Sequence, residues 1–360
     1  MYVFYVYSHA YSITPYTDNG DGTATPTIII NVKHCNSTLL SLKKGIISRF
    51  AFLLYLTVEP IPMPEKLLTC PACGDSSLQP FLQVKDHSVT SEIFELEKCS
   101  VCDLVFTNPR PSLEESPRYY QSDAYISHTN SNKGLMNKAY QWARQRAIRG
   151  KIGHLNHYIQ QKGVLLDYGC GTGEFLNAAK QAGWHVRGLE IDAGARKQAL
   201  QNHGLYVEDP VHLANAETNS IQVITLWHVL EHVHALQETL AQFYRCLQPG
   251  GYLIIAIPNR TAYDALKFGP YWAAWDVPRH LYHFSESPVR RLMTKNGFNC
   301  LNIKGMFFDP FYITLLSTRY KNGRSNPVEA AITGVITNLK GQNSPAFHSS
   351  LLYTFQKIAC

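Results

Sequence analysis

Apolar positions in the middle of the chain follow two alternating patterns. Short apolar-rich runs, such as 164–166 and 221–226, are typical of strands buried in a sheet. Each run leads to a stretch with apolar residues at helical spacing, 175–179 after the first and 236–247 after the second. Strands that alternate with helices in this way predict an α/β fold with a parallel sheet.

The pattern also predicts elements nearer the C-terminus. Residues 285–295 have helical spacing with a proline in the first turn, and 298–308 and 350–356 are strand-like. Between these strands, 328–339 is apolar and amphipathic at best. We predict that this stretch packs on the core, and a position on a membrane surface is the alternative.

A glycine-rich turn follows the first strand of this region. Asp167 precedes glycines at 169, 171 and 173, so the backbone has the freedom and clearance for close approach to a ligand. Glu174 stands where it would be poorly placed against a pyrophosphate, which argues against a dinucleotide. An acid beside a carbonyl-rich turn suits a ligand that carries an ammonium and a sulfonium. An ordinary tight turn is the alternative.

Residues 163–259 resemble class I S-adenosylmethionine-dependent methyltransferases. The resemblance rests on this turn, on a second strand that ends at Glu190, and on the segment 227–232. The resemblance implies a doubly wound, Rossmann-like sheet of seven mostly parallel strands, with the last one antiparallel. Glu190 lies roughly twenty residues after the turn, where such folds place the acid that accepts ribose hydroxyls; a solvated carboxylate is the alternative. The predicted residues for binding S-adenosyl-L-methionine are Asp167, Gly169, Cys170, Gly171, Gly173, Glu190, Ile191 and Trp227.

Two C-x-x-C pairs precede this region. Cys70 and Cys73 are separated from Cys99 and Cys102 by 25 residues, and four thiolates at such spacing form a tetrahedral, structural zinc site. The strand-like alternation between the pairs predicts a zinc ribbon. His87 is a possible substitute ligand, and disulfides or a redox dithiol are the alternatives. The other cysteines are interpreted as isolated thiols: Cys35, Cys170, Cys246, Cys300 and Cys360.

Two histidine-containing segments are candidates for the general base, which is needed if the acceptor must lose a proton. His228, Glu231 and His232 lie at i, i+3 and i+4 and are predicted to share one face of the helix after the strand 221–226. This segment resembles ubiquinone-pathway O-methyltransferases, in which two glutamates and a histidine bind a divalent metal, but His228 replaces the first glutamate. Buried polar pairs that support the loop are the alternative.

The second segment, 271–284, combines aromatic residues with Asp276, Arg279, His280 and His283, and bacterial methyltransferases that carry the zinc ribbon resemble it closely. We take His280 as the candidate base, with His228 as the other catalytic candidate. An aromatic wall with Arg and His suits an anionic or sugar-like acceptor. Pinning of the loop by Arg279 and Asp276 is the structural alternative.

The composition shifts suggest five segments. Residues 1–62 are predicted to be disordered or a spurious extension, 63–111 a zinc ribbon that caps the substrate site, and 112–160 a helical cap. The methyltransferase core spans 161–310, and 311–360 forms a C-terminal extension with the last strand. In the cap, Tyr125 and His128 are near the ligand or, as we favour, pack on the surface. We interpret its basic residues as a solvated face: Arg144, Arg146, Arg149 and Lys151.

The charge balance adds little to this picture. The 360 residues carry a formal charge of +6, and no Lys/Arg run is long enough to indicate nucleic-acid binding. The apolar run 50–58 is too short to span a bilayer, so we predict no transmembrane segment and a cytoplasmic enzyme. We predict methyl transfer to a small-molecule, glycan or lipid-precursor acceptor, by O- or C-methylation; similarity to sugar C-methyltransferases with cysteine-rich zinc domains supports this class. An RNA methyltransferase and a non-catalytic binding protein are the alternatives, and the oligomeric state is not predicted.

Overall fold

The computed structural model describes residues 64–120 and 135–358. The predictions for residues 1–62, for Tyr125 and His128, and for the thiols of Cys35 and Cys360 lie outside these residues. The strands of the described part are β1 (Leu78–Lys85), β2 (Ile93–Cys99), β3 (Val105–Thr107), β4 (Val164–Tyr168), β5 (His185–Leu189), β6 (Val207–Glu208), β7 (Ile221–Trp227), β8 (Leu247–Pro258), β9 (Tyr282–His283), β10 (Phe298–Gly305) and β11 (Ser350–Lys357).

The helices alternate with the strands over most of the chain. They are α1 (Leu135–Tyr158), α2 (Glu174–Gln181), α3 (Ala193–His203), α4 (Leu236–Cys246), α5 (Tyr263–Phe268), α6 (Glu286–Lys295), α7 (Asp309–Asn322) and α8 (Pro327–Asn343). None of these described helices combines the length and apolarity needed to cross a bilayer.

Seven strands form one sheet in the order β10–β11–β8–β7–β4–β5–β6. Strands β6, β5, β4, β7 and β8 pair in parallel, and β11 runs antiparallel between β8 and β10. The central strands are rich in buried β-branched residues because both sheet faces are covered, as at Ile221, Val223, Ile254 and Ile255. Helices α4 and α6 contribute to one apolar cluster and α1, α2 and α3 to another. The predicted doubly wound, seven-stranded sheet is therefore confirmed.

A second, four-stranded sheet joins the N-terminal segment to the core. Its order is β1–β2–β3–β9, and all pairs are antiparallel. Strand β9 comes from the segment after β8, so Val105 and Phe106 of β3 pair with His283 and Tyr282 across a long sequence separation. The cysteine-rich segment thus docks on the 271–284 segment that carries a candidate base.

One local expectation is wrong, and another holds only for part of a helix surface. Residues 228–232 do not begin a long helix: only one 3-10 turn forms at Leu230–His232, and α4 starts at Leu236. The apolar stretch in α8 does not bury its large side chains: Val328 and Ile332 are exposed, whereas small and polar residues such as Ala330 and Thr333 face inward. Periodicity marks an apolar face but does not say which face meets the core.

Candidate functional site

The glycine-rich turn lies at the carboxyl end of β4, where the order of strands reverses. Strand β4 pairs with β5 on one side and β7 on the other, and ligands bind in open α/β sheets at such points. Gly169, Gly171 and Gly173 have φ angles of 75°, 55° and 85°, which disfavour other residues. A Cβ atom on Gly169 would lie 2.5 Å from Val229 Cγ2, whereas one on Gly171 would meet no described atom within 4 Å. The turn therefore has no space for a side chain at Gly169, whereas there is free space beside Gly171.

Asp167 forms the buried floor beside this turn. Only 1% of the residue is exposed, and its Oδ1 accepts a hydrogen bond of 2.6 Å from the Thr225 hydroxyl. Burial raises the pKa of Asp167 to about 7, although the hydrogen bond from Thr225 and the charge of Lys151 oppose this rise. A carboxylate that is poorly solvated in this way interacts favourably with a cation placed in the crevice.

Lys151 of α1 reaches the same crevice, contrary to the prediction of a solvated face. Its Nζ lies 4.2 Å from the centroid of the Trp227 ring and 5.7 Å from that of Phe175. Burial lowers the pKa of Lys151 to about 8, and the nearby Asp167 carboxylate limits the change. The basic, polar sequence of α1 gives no sign of this contact, because only the tertiary fold brings the helix over β7.

Glu190 bridges two parts of the predicted donor site. Its Oε2 accepts a hydrogen bond of 2.8 Å from the Gly171 amide, and its Oε1 accepts one of 3.0 Å from the Asp192 amide. Ile191 beside it is exposed, and the Cys170 thiol is buried behind the turn. The eight predicted donor-binding residues lie at the carboxyl ends of β4, β5 and β7, along one edge of the sheet.

His228 is held between two carboxylates directly after β7. Its Nε2 lies 3.0 Å from Asp309 Oδ2, and its Nδ1 lies 3.6 Å from Glu231 Oε1. The residue has a φ of 59°, and its amide donates to the Ala256 carbonyl oxygen at 2.9 Å. Burial alone would lower the pKa of His228, but the two carboxylates outweigh it and raise that pKa to about 10. Near neutral pH His228 is therefore an imidazolium without a lone pair to accept a proton.

His280 meets the same buried glutamate from the other segment. Its Nε2 lies 4.0 Å from Glu231 Oε1 and 3.9 Å from Asp276 Oδ2, and its ring is 4.7 Å from that of His232. The Nδ1 atoms of His280 and His232 each lie 2.9 Å from a carbonyl oxygen, of Ala274 and Arg279 respectively. Because a carbonyl only accepts, these Nδ1 atoms donate, so the lone pair of either ring in its neutral form is on Nε2.

Glu231 is the point at which the two histidine segments converge. Neither of its carboxylate oxygens has a hydrogen-bond partner among the described residues, although the side chain is fully buried. One ligand atom from each of Glu231, His232 and His280 lies within 4.8 Å of the others. Two imidazoles and a carboxylate are a donor set that suits a divalent transition metal.

Arg279 fixes the loop rather than facing an open site. Its guanidinium lies 3.0 Å from Asp86 Oδ1 and 2.8 Å from Asp276 Oδ1, and it donates to the Tyr119 carbonyl oxygen at 2.8 Å. Burial alone would raise the pKa of Asp86, but hydrogen bonds from Arg279 and the Thr90 amide lower it to about 2. The loop-pinning alternative matches these contacts.

The four paired cysteines converge at the tip of the small sheet. Their Sγ atoms all lie within 4.8 Å of one another, with 3.4 Å between Cys70 and Cys102 and 3.6 Å between Cys73 and Cys99. A tetrahedral zinc ion with Zn–S bonds of about 2.3 Å separates its sulfurs by roughly 3.8 Å, so the cluster fits this ion. His87 is not part of the cluster, since its ring stacks on Tyr320 at 4.6 Å.

Comparisons with known proteins match the part of the chain that contains the glycine-rich turn. Residues 140–303 match the sequence model of a family described as methyltransferase domain. An O-methyltransferase of ubiquinone biosynthesis from Nitrosococcus oceani is 29% identical over 183 residues, which cover 47% of this chain and 75% of that protein. The same kind of enzyme from Cupriavidus pinatubonensis is 26% identical, with 41% and 64% covered.

One solved methyltransferase structure is similar to this chain at low sequence identity. The S-adenosylmethionine-dependent methyltransferase from Archaeoglobus fulgidus is 21% identical and superposes with a TM-score of 0.42, covering 59% of this chain and 94% of that one. The residues 140–303 that match the family model begin after the cysteine-rich segment.

Proposed function

Since this chain is a class I S-adenosylmethionine-dependent methyltransferase, we propose that it transfers the methyl group to an oxygen of a small-molecule acceptor. The observation that carries this proposal is the convergence of His280 on Glu231, which lies in the turn directly after β7 and the predicted donor-binding residue Trp227. The relatives named above are O-methyltransferases, which supports the oxygen and favours neither the RNA nor the non-catalytic alternative. Glycan and lipid-precursor acceptors and C-methylation are the runners-up.

In the proposed donor complex, Asp167 faces the cationic part of S-adenosylmethionine and Glu190 accepts hydrogen bonds from the ribose hydroxyls. Gly169, Gly171 and Gly173 allow close backbone approach, Cys170 packs behind the turn, and Ile191 and Trp227 supply apolar walls. The Glu190 carboxylate is already oriented by two amides, so little ordering is required on binding.

Calorimetric titration with S-adenosylmethionine tests this assignment. Glu190→Gln should weaken binding at least tenfold, because a neutral amide replaces a charged acceptor. Glu217→Gln changes an exposed acid outside the site and should bind like the parent chain. Equal affinities for all three proteins would contradict the role of Glu190.

For the reaction, we propose His280 as the general base, with no metal bound at Glu231, His232 and His280, because a metal would occupy the same Nε2 lone pair. Its Nε2 lone pair accepts the acceptor's hydroxyl proton as the oxygen attacks the methyl carbon, while the donor sulfur takes the electrons of the broken bond. Much of the rate enhancement then comes from alignment of oxygen, methyl and sulfur. His228, as an imidazolium, instead balances the charges of Asp309 and Glu231.

A screen with methyl-labelled donor against extract fractions of RNA, protein, lipid and small molecules identifies the acceptor class. With that acceptor, His280→Ala should lower kcat by about 10²–10⁴ with a smaller change in KM. Unchanged turnover would eliminate His280 as base. Label that enters only the RNA fraction would overturn the small-molecule proposal.

We also propose that Cys70, Cys73, Cys99 and Cys102 hold a structural zinc ion, which suits a reducing, cytoplasmic location. All four positions are taken by protein ligands, so the ion stabilises the segment and leaves no site for substrate. Metal analysis should find one zinc per chain, lost in Cys99→Ser and retained in Cys300→Ser. Less than about half an equivalent in the parent chain would count against the site.

A further inference from the structure

The hairpin of α7 and α8 has a reversed distribution of side chains. Four large apolar residues of α8 lie at i, i+4, i+7 and i+11 and are exposed: Val328 (69%), Ile332 (56%), Val335 (47%) and Leu339 (55%). We call these four residues the α8 stripe. The inward face of the same helix consists of small and polar residues: Ala330, Thr333, Gly334, Thr337, Asn338 and Gly341. In a helix that serves only the core, the large apolar residues would point inward.

Hydroxyl groups and small residues pack the interior of the hairpin without the α8 stripe. Thr314 of α7 donates to the Ala330 carbonyl oxygen at 3.0 Å, and Thr337 donates to that of Thr333 at 2.9 Å. A Cβ atom on Gly334 would lie 2.7 Å from the Phe311 ring, so the two helices approach closely there. Small residues and hydroxyls at a close helix contact, with apolar residues outside, are the pattern of helices in contact with lipid.

Positive charges flank the α8 stripe at both ends. Lys321 is exposed in the last turn of α7, Arg324 is exposed in the connection before α8, and Lys340 directly follows Leu339. No charged residue lies between Glu329 and Lys340 in the sequence. Glu329 is neutralised by Lys267, whose Nζ lies 3.2 Å from its Oε1. The surface is therefore apolar along its length and cationic at its ends.

We propose that the α8 stripe docks on an anionic lipid bilayer, with the helix lying in the plane of the interface. The apolar side chains enter the boundary between headgroups and acyl chains, and the flanking cations contact anionic headgroups. A second copy of the chain fits less well. Because both ends are cationic, parallel and antiparallel pairing of two stripes would both bring like charges together.

The hairpin also contacts the candidate site. Asp309, the first residue of α7, pairs with His228, and Ser317 Oγ accepts a hydrogen bond of 2.9 Å from the Ala273 amide. Docking through α8 would therefore hold the acceptor side of the enzyme near the bilayer. The docking itself does not depend on the proposed methyl transfer, so it is tested without donor or acceptor.

Vesicle flotation of the full chain tests the proposal. The protein should float with vesicles of phosphatidylcholine and phosphatidylglycerol in equal parts, and much less with phosphatidylcholine alone. Ile332→Gln combined with Val335→Gln should lower partitioning roughly tenfold or more, because both residues lose apolar contact. Lys321→Gln combined with Arg324→Gln should lower it by a similar factor on anionic vesicles only.

Leu200→Gln is the matched control, since Leu200 is an exposed leucine of α3 and should leave flotation unchanged. All variants change exposed residues, and equal melting temperatures check that they fold. No binding to anionic vesicles, or binding that survives Ile332→Gln/Val335→Gln, would overturn the proposal. Light scattering measures the oligomeric state. If the parent chain is a dimer and the Ile332→Gln/Val335→Gln variant is a monomer, the stripe would be assigned to self-association instead.

Discussion

Individual charges at the candidate site are balanced by residues from distant elements. Asp167 of β4 faces Lys151 of α1, and His228 after β7 pairs with Asp309 at the start of α7. Lys151 and His228 are therefore cations that belong to the protein and lie close to these carboxylates. An unpaired buried charge destabilises the folded state, so removal of one partner should lower the free energy of unfolding as well as the affinity for a ligand.

His228→Gln should reveal this balance through its pH dependence. The folded-state pKa of His228 is raised from 6.5 to about 10, so its stabilising effect is complete below about pH 6.5 and is lost as the pH rises through about 10. The melting temperature of the parent chain should exceed that of the variant most at pH 6, and the difference should shrink towards pH 10.

Differential scanning fluorimetry at pH 6, 8 and 10 measures this difference. His185→Gln removes an exposed histidine at the start of β5 and should change little at any of the three values. A difference for His228→Gln that stays constant with pH would mean that the ion pairs do not stabilise the folded state.

At the scale of elements, the β4–α2 turn depends on its glycines for two separate reasons. Gly169 needs a positive φ, and it also lies against Val229 of the turn after β7. The position of this turn relative to β7 thus depends on the absence of a side chain. The same contact links the donor crevice to the His228 segment.

Gly169→Ala should lower the free energy of unfolding by about 2–4 kcal/mol, from the left-handed backbone and from overpacking against Val229. It should also weaken donor binding. Gly150→Ala is the matched control: Gly150 lies exposed in α1 with no atom within 4 Å of a Cβ, so this change should be neutral or stabilise by about 0.5–1 kcal/mol. Urea unfolding measures the free energy of unfolding of both variants. Equal changes would show that the absence of a side chain at Gly169 is not required.

At the scale of the whole molecule, the cysteine-rich segment and the core share a sheet and a buried ion-pair network. Strand β9 completes the small sheet, and Arg279 reaches Asp86, Ser88 and the Tyr119 carbonyl oxygen. The Gln237 side-chain amide also donates to the carbonyl oxygens of Pro71 and Ala72 in the first cysteine turn. The two parts are therefore expected to unfold together.

Arg279→Met should cost about 3–5 kcal/mol, because it leaves the Asp86 and Asp276 carboxylates without their counter-charge. Arg290→Met breaks an exposed pair with Glu286 on α6 and should cost less than about 1 kcal/mol. The comparison is made by urea unfolding, with limited proteolysis to follow release of the small sheet. Similar costs for both variants would argue against coupling of the two parts.

Truncation tests the predicted segment boundaries. Deletion of residues 1–62 should leave the melting temperature and donor affinity unchanged. A chain that starts at residue 112 should be much less stable, since β9 loses its partner β3 and Arg279 loses Asp86. A large loss from the first deletion, or none from the second, would show that the boundaries are wrong.

The sequence by itself determined the alternation of strands and helices in the core, the glycine turn with its acids, and the two C-x-x-C pairs. These are local properties, since period, turn chemistry and ligand spacing are written in neighbouring residues. Only the tertiary structure decided that Lys151 covers Trp227, that Asp309 pairs with His228, that two histidine segments meet at Glu231, and that α8 exposes its apolar face. Each of these depends on which elements the fold brings together, and a chain's local pattern does not carry that information.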